Sequence, residues 1–447
     1  MNFELNEQQL SIQKMAREFT EKKVAPKVLE RDETRVYDVE LYQELSRMGF
    51  IGLPYAKEYG GQGLGYLEYA IAIEEISKVD PSLSVSFSVA TSLYGGSLYF
   101  SEATDEQLKR FMPPVIRDGH LGSFGLTEPT AGSDVSGMLT FAERKGDEYI
   151  INGSKCFITN GPLSDYFCVY ALTDHELGPK SMATFVVEKN TPGFSIGARH
   201  NTMGIRSAMV SELHFNDVHV PVANMVTPPG KGFAAAMKTL DGGRIGIASQ
   251  ALGIAEGAFE IARKYLMQRE QFKKPLYKNQ HLAFRMVDLA NEIEMAKYMV
   301  YKAACDKDDH KPFSASAAKA KLIAAETAMH VTTDAVQMLG GNGFMKEYHV
   351  ERLMRDAGCQ DHPDLRGYQR DPENRAVQEA VCVIPRSFPN LHSILPPALW
   401  AGGFFCGEMQ PTVVGMTGKG PPRCTSGDPS PSRMVLRKPI RHPCSVI

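Results

Sequence analysis

The sequence lacks a long apolar segment. None of its uninterrupted apolar runs approaches the roughly 18 residues that a membrane-spanning helix needs, and the longest carry charges within a few positions. A basic leader followed by an apolar stretch is also missing, because the chain starts with acidic residues in Met1-Asn-Phe-Glu-Leu-Asn-Glu7. We therefore expect a cytoplasmic protein that does not cross a membrane.

Positive charge is not in excess either. The chain has 49 basic and 52 acidic residues and a net charge of -3, so no global positive field attracts nucleic acid or an anionic membrane. Its eight cysteines form no Cys-x-x-Cys pair and show no zinc-ligand spacing, so we expect neither a disulfide framework nor a metal site. With 43% hydrophobic and 23% charged residues, the composition is that of an ordinary globular protein.

The hydrophobic pattern divides the chain into segments of different periodicity. Apolar residues recur at three- and four-residue spacing in residues 1–120, which predicts a helical domain. Short β-rich runs separated by Gly, Pro, Asn and Asp predict a β domain over residues 121–231. The helical period returns in 232–357 as three long stripes, which predict a helical bundle. This order predicts an α+β protein and argues against a doubly wound nucleotide-binding fold.

The composition changes after Ala357. Residues 358–447 contain 13 of the 27 prolines, 5 of the 8 cysteines and the only tryptophan, Trp400. Proline pairs such as Pro396-Pro397 exclude long helices there. The tail therefore does not continue the pattern that precedes it.

Two segments of the β domain are unusually rich in small and hydroxylated residues: Phe124-Gly-Leu-Thr-Glu-Pro-Thr-Ala-Gly-Ser-Asp134, and Asn152-Gly-Ser-Lys with Phe157-Ile-Thr-Asn-Gly161. Each alone is most simply interpreted as a turn. In combination, small residues allow backbone amides to approach a planar ligand, and the hydroxyls of Thr127, Ser133 and Thr159 can bind ring carbonyls and nitrogens. Together they favour a ring-shaped cofactor.

With these and further motifs the chain resembles the acyl-CoA dehydrogenase family, most closely its short-chain, butyryl-CoA members. The resemblance covers Met1 to Ala357, and the further motifs are Leu240-Asp-Gly-Gly-Arg244, Arg269-Glu-Gln-Phe272, Gln337-Met-Leu-Gly-Gly-Asn-Gly343 and His349-Val-Glu-Arg-Leu-Met-Arg-Asp-Ala357. It implies a helical domain, a β-barrel-like middle domain and a C-terminal helical bundle, with FAD bound at a subunit interface of a homotetramer. It also implies α,β-dehydrogenation of an acyl-CoA to the trans-2-enoyl-CoA, with electrons passed to an electron-transferring flavoprotein.

The resemblance also implies roles for individual residues. Ser133, Asp241 and Arg244 match positions that meet the acyl-CoA, although Asp241 and Arg244 read alone would be a solvated helix face. Gly340-Gly341 read alone would be a helix C-cap, and no strand precedes it as a Rossmann fingerprint requires. Where the family has Gly after Arg-x-Gln-Phe, this chain has Lys273. The positions that match FAD contacts are Phe124, Leu126, Thr127, Ser133, Phe157, Ile158, Thr159, Arg269, Gln271, Phe272, Gln280, Gln337, Gly340 and Gly341.

The catalytic base that the resemblance implies is missing. A carboxylate must take the α-proton while the β-hydrogen leaves as hydride to the flavin, and the thioester oxygen must be hydrogen-bonded. Most of the family uses the Glu of a Tyr-Glu-Gly-Thr turn shortly after the Met-Arg-Asp-Ala motif, where this chain has an unrelated sequence. The alternative family position is Gly243 here. Neither position has a carboxylate.

We hypothesise that the reading frame shifts near Ala357 and that this shift removed the base. A family-like continuation, Lys-Ile-Thr-Gln-Ile-Tyr-Glu-Gly-Thr-Ser-Glu-Ile-Gln-Arg-Ile, can be back-translated so that a shifted frame encodes Gln360 through Arg375 without a mismatch. In the shifted frame, the codon of the catalytic Glu is split between the codons of Arg366 and Gly367. The bundle would lack its last helix, which we expect to expose Met286, Leu289 and Ile293 and to weaken oligomers.

Three functions are therefore compatible with the sequence. The first is an FAD-dependent short-chain acyl-CoA dehydrogenase. The second is a chain that binds flavin and acyl-CoA but turns over poorly, because Asp361 and Asp364 lie in a segment with no selected geometry and are not expected to replace the base. The third is an acyl-CoA oxidase, which differs by reacting with oxygen and is disfavoured by the compact length of the matching region.

Overall fold

The computed structural model describes residues 4–360 of the chain. They form a helical domain, a β domain and a bundle of long helices, which confirms the predicted order. No helix among these residues is long and apolar enough to span a membrane, and in the same part of the chain no group of three His, Cys, Asp or Glu side chains could hold a metal ion. Most of the predicted tail, including Arg366 and Gly367, lies outside the described residues.

The first domain contains seven α-helices. Several of its helices begin at capping residues: Asn6 and Gln9 form a reciprocal capping box at the first helix, and Thr104 and Gln107 form another at the seventh. A π-helical segment, Val89–Gly95, separates the fifth and sixth helices. The helices are α1 (Glu7–Phe19), α2 (Val28–Thr34), α3 (Val39–Arg47), α4 (Tyr66–Ser77), α5 (Pro81–Ser88), α6 (Gly96–Tyr99) and α7 (Asp105–Ile116).

The second domain consists of two four-stranded sheets. One sheet has the order β1-β4-β5-β8, with β1 and β4 parallel and the other pairs antiparallel. The other has the antiparallel order β2-β3-β7-β6. The strands are β1 (Gly122–Gly125), β2 (Phe141–Lys145), β3 (Glu148–Thr159), β4 (Tyr166–Ala171), β5 (Ala183–Glu188), β6 (Phe194–Arg199), β7 (Val210–Pro221) and β8 (Met225–Thr227).

The two sheets share one apolar core. Alternating residues of β3, β4, β5 and β7 point into it, among them Ile151, Phe167, Phe185 and Leu213, all fully buried. A bridge between Phe141 of β2 and Leu172, just after β4, connects the edges of the sheets. This connection agrees with the barrel-like middle domain that the resemblance implied.

The third domain is built from long helices. They are α8 (Gly232–Gln268), α9 (Gln280–Asp308), α10 (Ser314–Met338) and the shorter α11 (Val350–Gln360), and a two-residue hairpin of β9 (Glu270–Gln271) and β10 (Lys274–Pro275) follows α8. Small residues allow α8 to approach α4 closely. A Cβ built on Gly253 would lie 2.3 Å from the Glu74 carbonyl oxygen, and one on Gly257 would lie 2.2 Å from the Lys78 carbonyl oxygen. Larger side chains at either position would separate the two helices.

The expected exposure of Met286, Leu289 and Ile293 is wrong. Leu289 and Ile293 belong to the main apolar core, and Met286 is half-buried against it, because this face of α9 packs within the bundle. The exposed apolar side chains of α9 lie on a different face, and they are Phe284, Val287, Met295 and Tyr298.

Helix α11 is joined by polar contacts to both other domains. The Arg355 guanidinium forms an ion pair with Asp32 of α2 at 2.8 Å. The Asp356 carboxylate accepts a hydrogen bond from the Ile205 backbone N–H of the β domain, and it also pairs with Arg352 at 3.1 Å. Burial raises the pKa of Asp356 to about 6, against the effect of Arg352. The Met-Arg-Asp-Ala motif therefore holds the three domains together.

Candidate functional site

The two stretches predicted to contact a ring cofactor are brought together in the β domain. The first follows the end of β1 and the second is the end of β3. The Cys156 backbone N–H donates to the Thr127 carbonyl at 3.0 Å, and the Ser123 hydroxyl donates to the Thr159 carbonyl at 2.8 Å. Sequence positions 29 and 36 residues apart therefore form one continuous wall.

The wall offers both an aromatic ring and hydroxyl groups to a ligand. Phe157 is 58% exposed, and its φ of 58° places it in the left-handed region at an irregularity of the β3–β7 pairing. Thr127 and Thr159 are half-buried and Ser133 is exposed, so their hydroxyls are accessible. Leu126 and Ile158 are buried, so they could contact a ligand only through their backbone. The Phe124 ring packs edge to face against Tyr170.

Asp241 and Arg244 form an ion pair on α8, and the Ser314 hydroxyl of α10 donates to the same aspartate. The pair is not the solvated helix face that the motif alone suggested, because the Arg244 side chain is only 12% exposed and that of Asp241 only 16%. The carboxylate and the guanidinium lie one helical turn apart and hold each other in place, beside the buried Gly242 and Gly243.

Gly243 itself faces the first domain. A Cβ built on Gly243 would lie 2.8 Å from Leu93 Cδ2 and 3.9 Å from Ser92 Oγ in the π-helical segment Val89–Gly95. The absence of a side chain here therefore allows α8 to approach that segment. No carboxylate occupies this position.

A cavity of about 710 Å³ lies in the helical bundle, between the end of α8, the start of α9 and the end of α10. Five residues predicted to bind a cofactor line it: Arg269, Gln271, Gln337, Gly340 and Gly341. No residue of the β-domain wall does so. The predicted residues thus form two separate groups within the described part of one chain.

The glycine pair serves two purposes. Helix α10 ends at Met338, and Gly340 follows with a φ of 57°, so the helix C-cap suggested by Gly340-Gly341 is present. Both glycines also line the cavity, and a Cβ built on either would meet no atom within 4 Å. A ligand can therefore approach this backbone directly.

Two arginines line the cavity, and they differ in whether an acidic side chain neutralises their guanidinium group. Arg285 forms an ion pair with Asp334 and contacts His330, whose other ring nitrogen lies 2.7 Å from Glu292. Arg269 has no acidic partner among the described residues. Arg269 is therefore the cation of the cavity best able to bind an anionic group.

Phe272 and Gln280 do not line the cavity. Phe272 is 89% exposed at the tip of the β9–β10 hairpin, and Gln280 is exposed at the start of α9. Phe272 and Lys273 have φ values of 53° and 62°, so both hairpin residues are left-handed. Lys273 thus occupies a conformation that favours glycine.

Several residues of these sites were not assigned from the sequence. Lys155 and Glu128 occur in the motifs above, but only the structure shows that they form a buried pair behind the wall. Arg285 of α9 contacts His330 and Asp334 of α10, and of these three residues Arg285 and Asp334 line the cavity. No spacing rule connects residues on two helices, so the sequence contained no signal for this second cluster.

Comparison with known proteins shows three family matches along the chain. They are to the acyl-CoA dehydrogenase N-terminal domain over residues 6–118, the middle domain over 123–218 and the C-terminal domain over 230–362. The chain is 49% identical over 357 residues to the short-chain specific acyl-CoA dehydrogenase of Clostridium acetobutylicum, which covers 80% of this chain and 94% of that protein.

Solved structures show the same similarity. The butyryl-CoA dehydrogenase from Megasphaera elsdenii is 44% identical with a TM-score of 0.81, covering 86% of this chain and 100% of that one. A chain from a structure described as the electron transferring flavoprotein of Acidaminococcus fermentans is also 44% identical, with a TM-score of 0.82, covering 85% and 99%.

Proposed function

This chain belongs to the acyl-CoA dehydrogenase family of FAD-dependent oxidoreductases, and on that premise we propose that it is built for α,β-dehydrogenation of a short-chain acyl-CoA. The observation that carries the proposal is the wall formed by Thr127 and Phe157 to Thr159. It combines an exposed aromatic ring, accessible hydroxyls and backbone groups, as recognition of a flat polar ring requires. When bound, FAD would accept the hydride.

The residues present fit FAD. The cavity volume of about 710 Å³ is in the range of small-molecule sites. Arg269 offers a guanidinium for a diphosphate, and Gly340 and Gly341 offer an approachable backbone. Phe124, Leu126, Thr127, Ser133, Phe157, Ile158 and Thr159 would surround the ring, whereas Arg269, Gln271, Gln337, Gly340 and Gly341 would hold the diphosphate and adenosine, with Phe272 and Gln280 at the edge of that site.

The separation of these two groups supports a site shared between subunits, and we propose that these subunits form the homotetramer that the resemblance implies. If the cavity of one subunit holds the diphosphate of an FAD whose ring lies on its neighbour, each site is complete only in the assembly. The exposed apolar side chains of α9 support burial of that surface: Phe284, Val287, Met295 and Tyr298. Light scattering of the purified chain would detect this assembly.

Substrate and electron acceptor follow from the relatives. Butyryl-CoA is named for the Megasphaera elsdenii structure, and short-chain specificity for the Clostridium acetobutylicum relative. Ser133 and the Asp241–Arg244 pair would hold polar groups of the CoA thioester. We infer an electron-transferring flavoprotein as acceptor, supported by the description of the Acidaminococcus fermentans structure.

A second candidate function is binding without efficient turnover. The carboxylate that takes the α-proton is absent from Gly243, and the codon of the family's other base would fall at Arg366 and Gly367, outside the described residues. A chain without this base would bind FAD and thioester but leave the substrate proton in place. Loss of a general base typically lowers rates by roughly 10²- to 10⁴-fold.

One comparison of two chains tests both candidates. The chain with its reading frame restored after Ala357 should bleach its flavin with butyryl-CoA without oxygen, and faster than with palmitoyl-CoA. The unaltered chain should do so roughly 10²- to 10⁴-fold more slowly. Equal rates would show that the base has not been lost, whereas preference for palmitoyl-CoA would refute short-chain specificity. If the restored chain reduces oxygen as readily as an electron-transferring flavoprotein, it is an oxidase.

A further inference from the structure

A buried ion pair lies directly behind the β-domain wall. Lys155 Nζ and Glu128 Oε1 are 2.7 Å apart, and their side chains are 0% and 3% exposed. A buried pair of this kind generally adds little to stability, because the cost of removing both charges from water offsets their attraction. The role of the pair is therefore better explained by the backbone segments that the two side chains bind than by its contribution to stability.

Lys155 connects the ends of the two strands. It belongs to β3, two residues before Phe157, and its ammonium donates a second hydrogen bond to the Leu126 carbonyl at 3.1 Å. The next residue, Cys156, donates its backbone N–H to the Thr127 carbonyl. Together with the Ser123–Thr159 hydrogen bond, these two contacts thus fix the position of the segment after β1 relative to the end of β3.

Glu128 closes the loop that carries Ser133. Its carboxylate accepts hydrogen bonds from the Leu139 N–H at 2.7 Å and the Thr140 N–H at 3.0 Å, on the far side of the loop. Its backbone also exchanges two hydrogen bonds with Ala131. One carboxylate therefore holds both ends of the segment from Glu128 to Thr140.

We propose that the Lys155–Glu128 pair is a positioning device that sets both flavin-contacting stretches in register with each other. The inference rests on the proposed function, since it assumes that these stretches hold FAD. Both side chains are buried behind the wall, so neither would touch a bound cofactor. They act through the backbone of Leu126 and Thr127 and through the Ser133 loop.

The charge states agree with this role. Burial lowers the pKa of Lys155 to about 8, and Glu128 limits the decrease. Burial opposes ionisation of Glu128, but Lys155 and the hydrogen bonds from Thr140 and Leu139 outweigh it and lower the pKa of the carboxyl. Both groups are therefore mainly charged at neutral pH, as their hydrogen-bonding pattern requires.

The test compares Lys155→Met with a matched control. The variant keeps an unbranched side chain, one atom shorter than lysine, but removes the donor to Leu126 and Glu128. The control is Arg31→Met, which breaks another buried pair, Arg31–Asp80 at 2.8 Å, in the helical domain. For each, the dissociation constant of FAD and the visible spectrum of the bound flavin are measured well below the melting temperature, and far-UV circular dichroism verifies the fold.

We expect Lys155→Met to weaken FAD binding on the order of tenfold, as loss of a supporting group behind a metal site does, and to shift the flavin bands. Arg31→Met should lower the melting temperature but leave affinity and spectrum unchanged. A folded Lys155→Met with wild-type affinity and spectrum would overturn the proposal, and so would equal changes in both variants.

Two further results keep the test decisive. If Lys155→Met does not fold, Glu128→Gln, which preserves side-chain shape, replaces it and must show the same loss of affinity and the same spectral shift. A Glu128→Gln chain that folds and binds FAD normally would refute the positioning role. If the unaltered chain itself binds no FAD, the proposed function fails first, so the two failures are distinguishable.

Discussion

Gly243 of α8 and Leu93 of the π-helical segment Val89–Gly95 face each other so closely that a Cβ on the glycine would lie 2.8 Å from Leu93 Cδ2. The contact involves only the end of a flexible side chain. A carboxylate at position 243, the family's alternative location for the base, therefore requires Leu93 to move, which decides how such a variant should be designed.

We predict that Gly243→Glu with Leu93→Ala recovers more of the butyryl-CoA-dependent flavin reduction than Gly243→Glu alone. The smaller alanine leaves space for the new side chain, and a positioned base supplies up to roughly 10²- to 10⁴-fold in rate. Stopped-flow absorbance of the flavin measures the rate. Gly243→Gln with Leu93→Ala is the control, and an equal gain in this variant would show that the carboxylate is not acting as a base. Recovery only after restoring the frame would place the defect in the fold of the bundle.

A second prediction concerns the hairpin beside the cavity. Phe272 and Lys273 form its two-residue loop, and both have positive φ. Non-glycine residues in this region cost roughly 1–2 kcal/mol each, while glycine loses more chain entropy on folding. Lys273→Gly should therefore raise the free energy of unfolding by up to about 1 kcal/mol. Lys274→Gly, in the extended β10 strand, should lower it. Denaturant unfolding measures the free energy of unfolding of both variants. If both variants change it in the same direction, the positive φ of Lys273 is not the cause.

The sequence predicted the fold better than it predicted which surfaces are covered. The stripe containing Leu289 and Ile293 was correctly placed in the bundle, but it was wrongly expected to be exposed by loss of a last helix. Helix α9 has apolar residues on more than one face, since Phe284 and Val287 are exposed. Which face is covered depends on α8 and α10, and that information is not contained in the periodicity of α9 alone.

The same limit applies to the site. Motifs identified Thr127 and Arg269 as candidate ligand contacts, because hydroxyls and guanidinium groups have a recognisable chemistry. The supporting contacts were not predictable: Lys155 reaches Leu126 across 29 positions, and Arg285 meets Asp334 across 49. Such contacts depend on the register of strands and the crossing of helices, which single-residue chemistry does not determine.

A third prediction concerns pH and Lys307. Its ammonium lies 3.6 Å from the centre of the Tyr66 ring, with Phe100 and Phe313 at 4.5 and 4.9 Å. Burial lowers the pKa of Lys307 to about 7, well below its value in the unfolded chain. Between these two values the unfolded chain binds more protons, so the stability contributed by Lys307 rises with pH.

The melting temperature of Lys307→Met relative to that of the unaltered chain should therefore be higher at pH 6.5 than at pH 9. The corresponding difference in unfolding free energy should change by at most about 1.4 kcal/mol per pH unit. Differential scanning fluorimetry across this range measures the change. Lys311→Met, at an exposed lysine paired with Asp309, is the control and should show little pH dependence. If the difference in unfolding free energy between Lys307→Met and the unaltered chain does not change with pH, the three rings hold the ammonium in its charged form.

The last prediction concerns the cation of the bundle cavity. Arg269 lines the cavity and has no acidic partner among the described residues, so its guanidinium is available to a diphosphate. Hydrogen bonds to charged groups contribute about 1.5–3 kcal/mol, so Arg269→Ala should weaken FAD binding roughly 10- to 150-fold. Arg263→Ala is the matched control, because Arg263 is exposed on the preceding helix and paired with Glu260 at 2.7 Å. Fluorescence titration of the apoprotein with FAD measures both affinities. If both variants bind FAD with equal affinity, Arg269 of the cavity does not contribute to FAD binding, even if the β-domain wall still binds the ring.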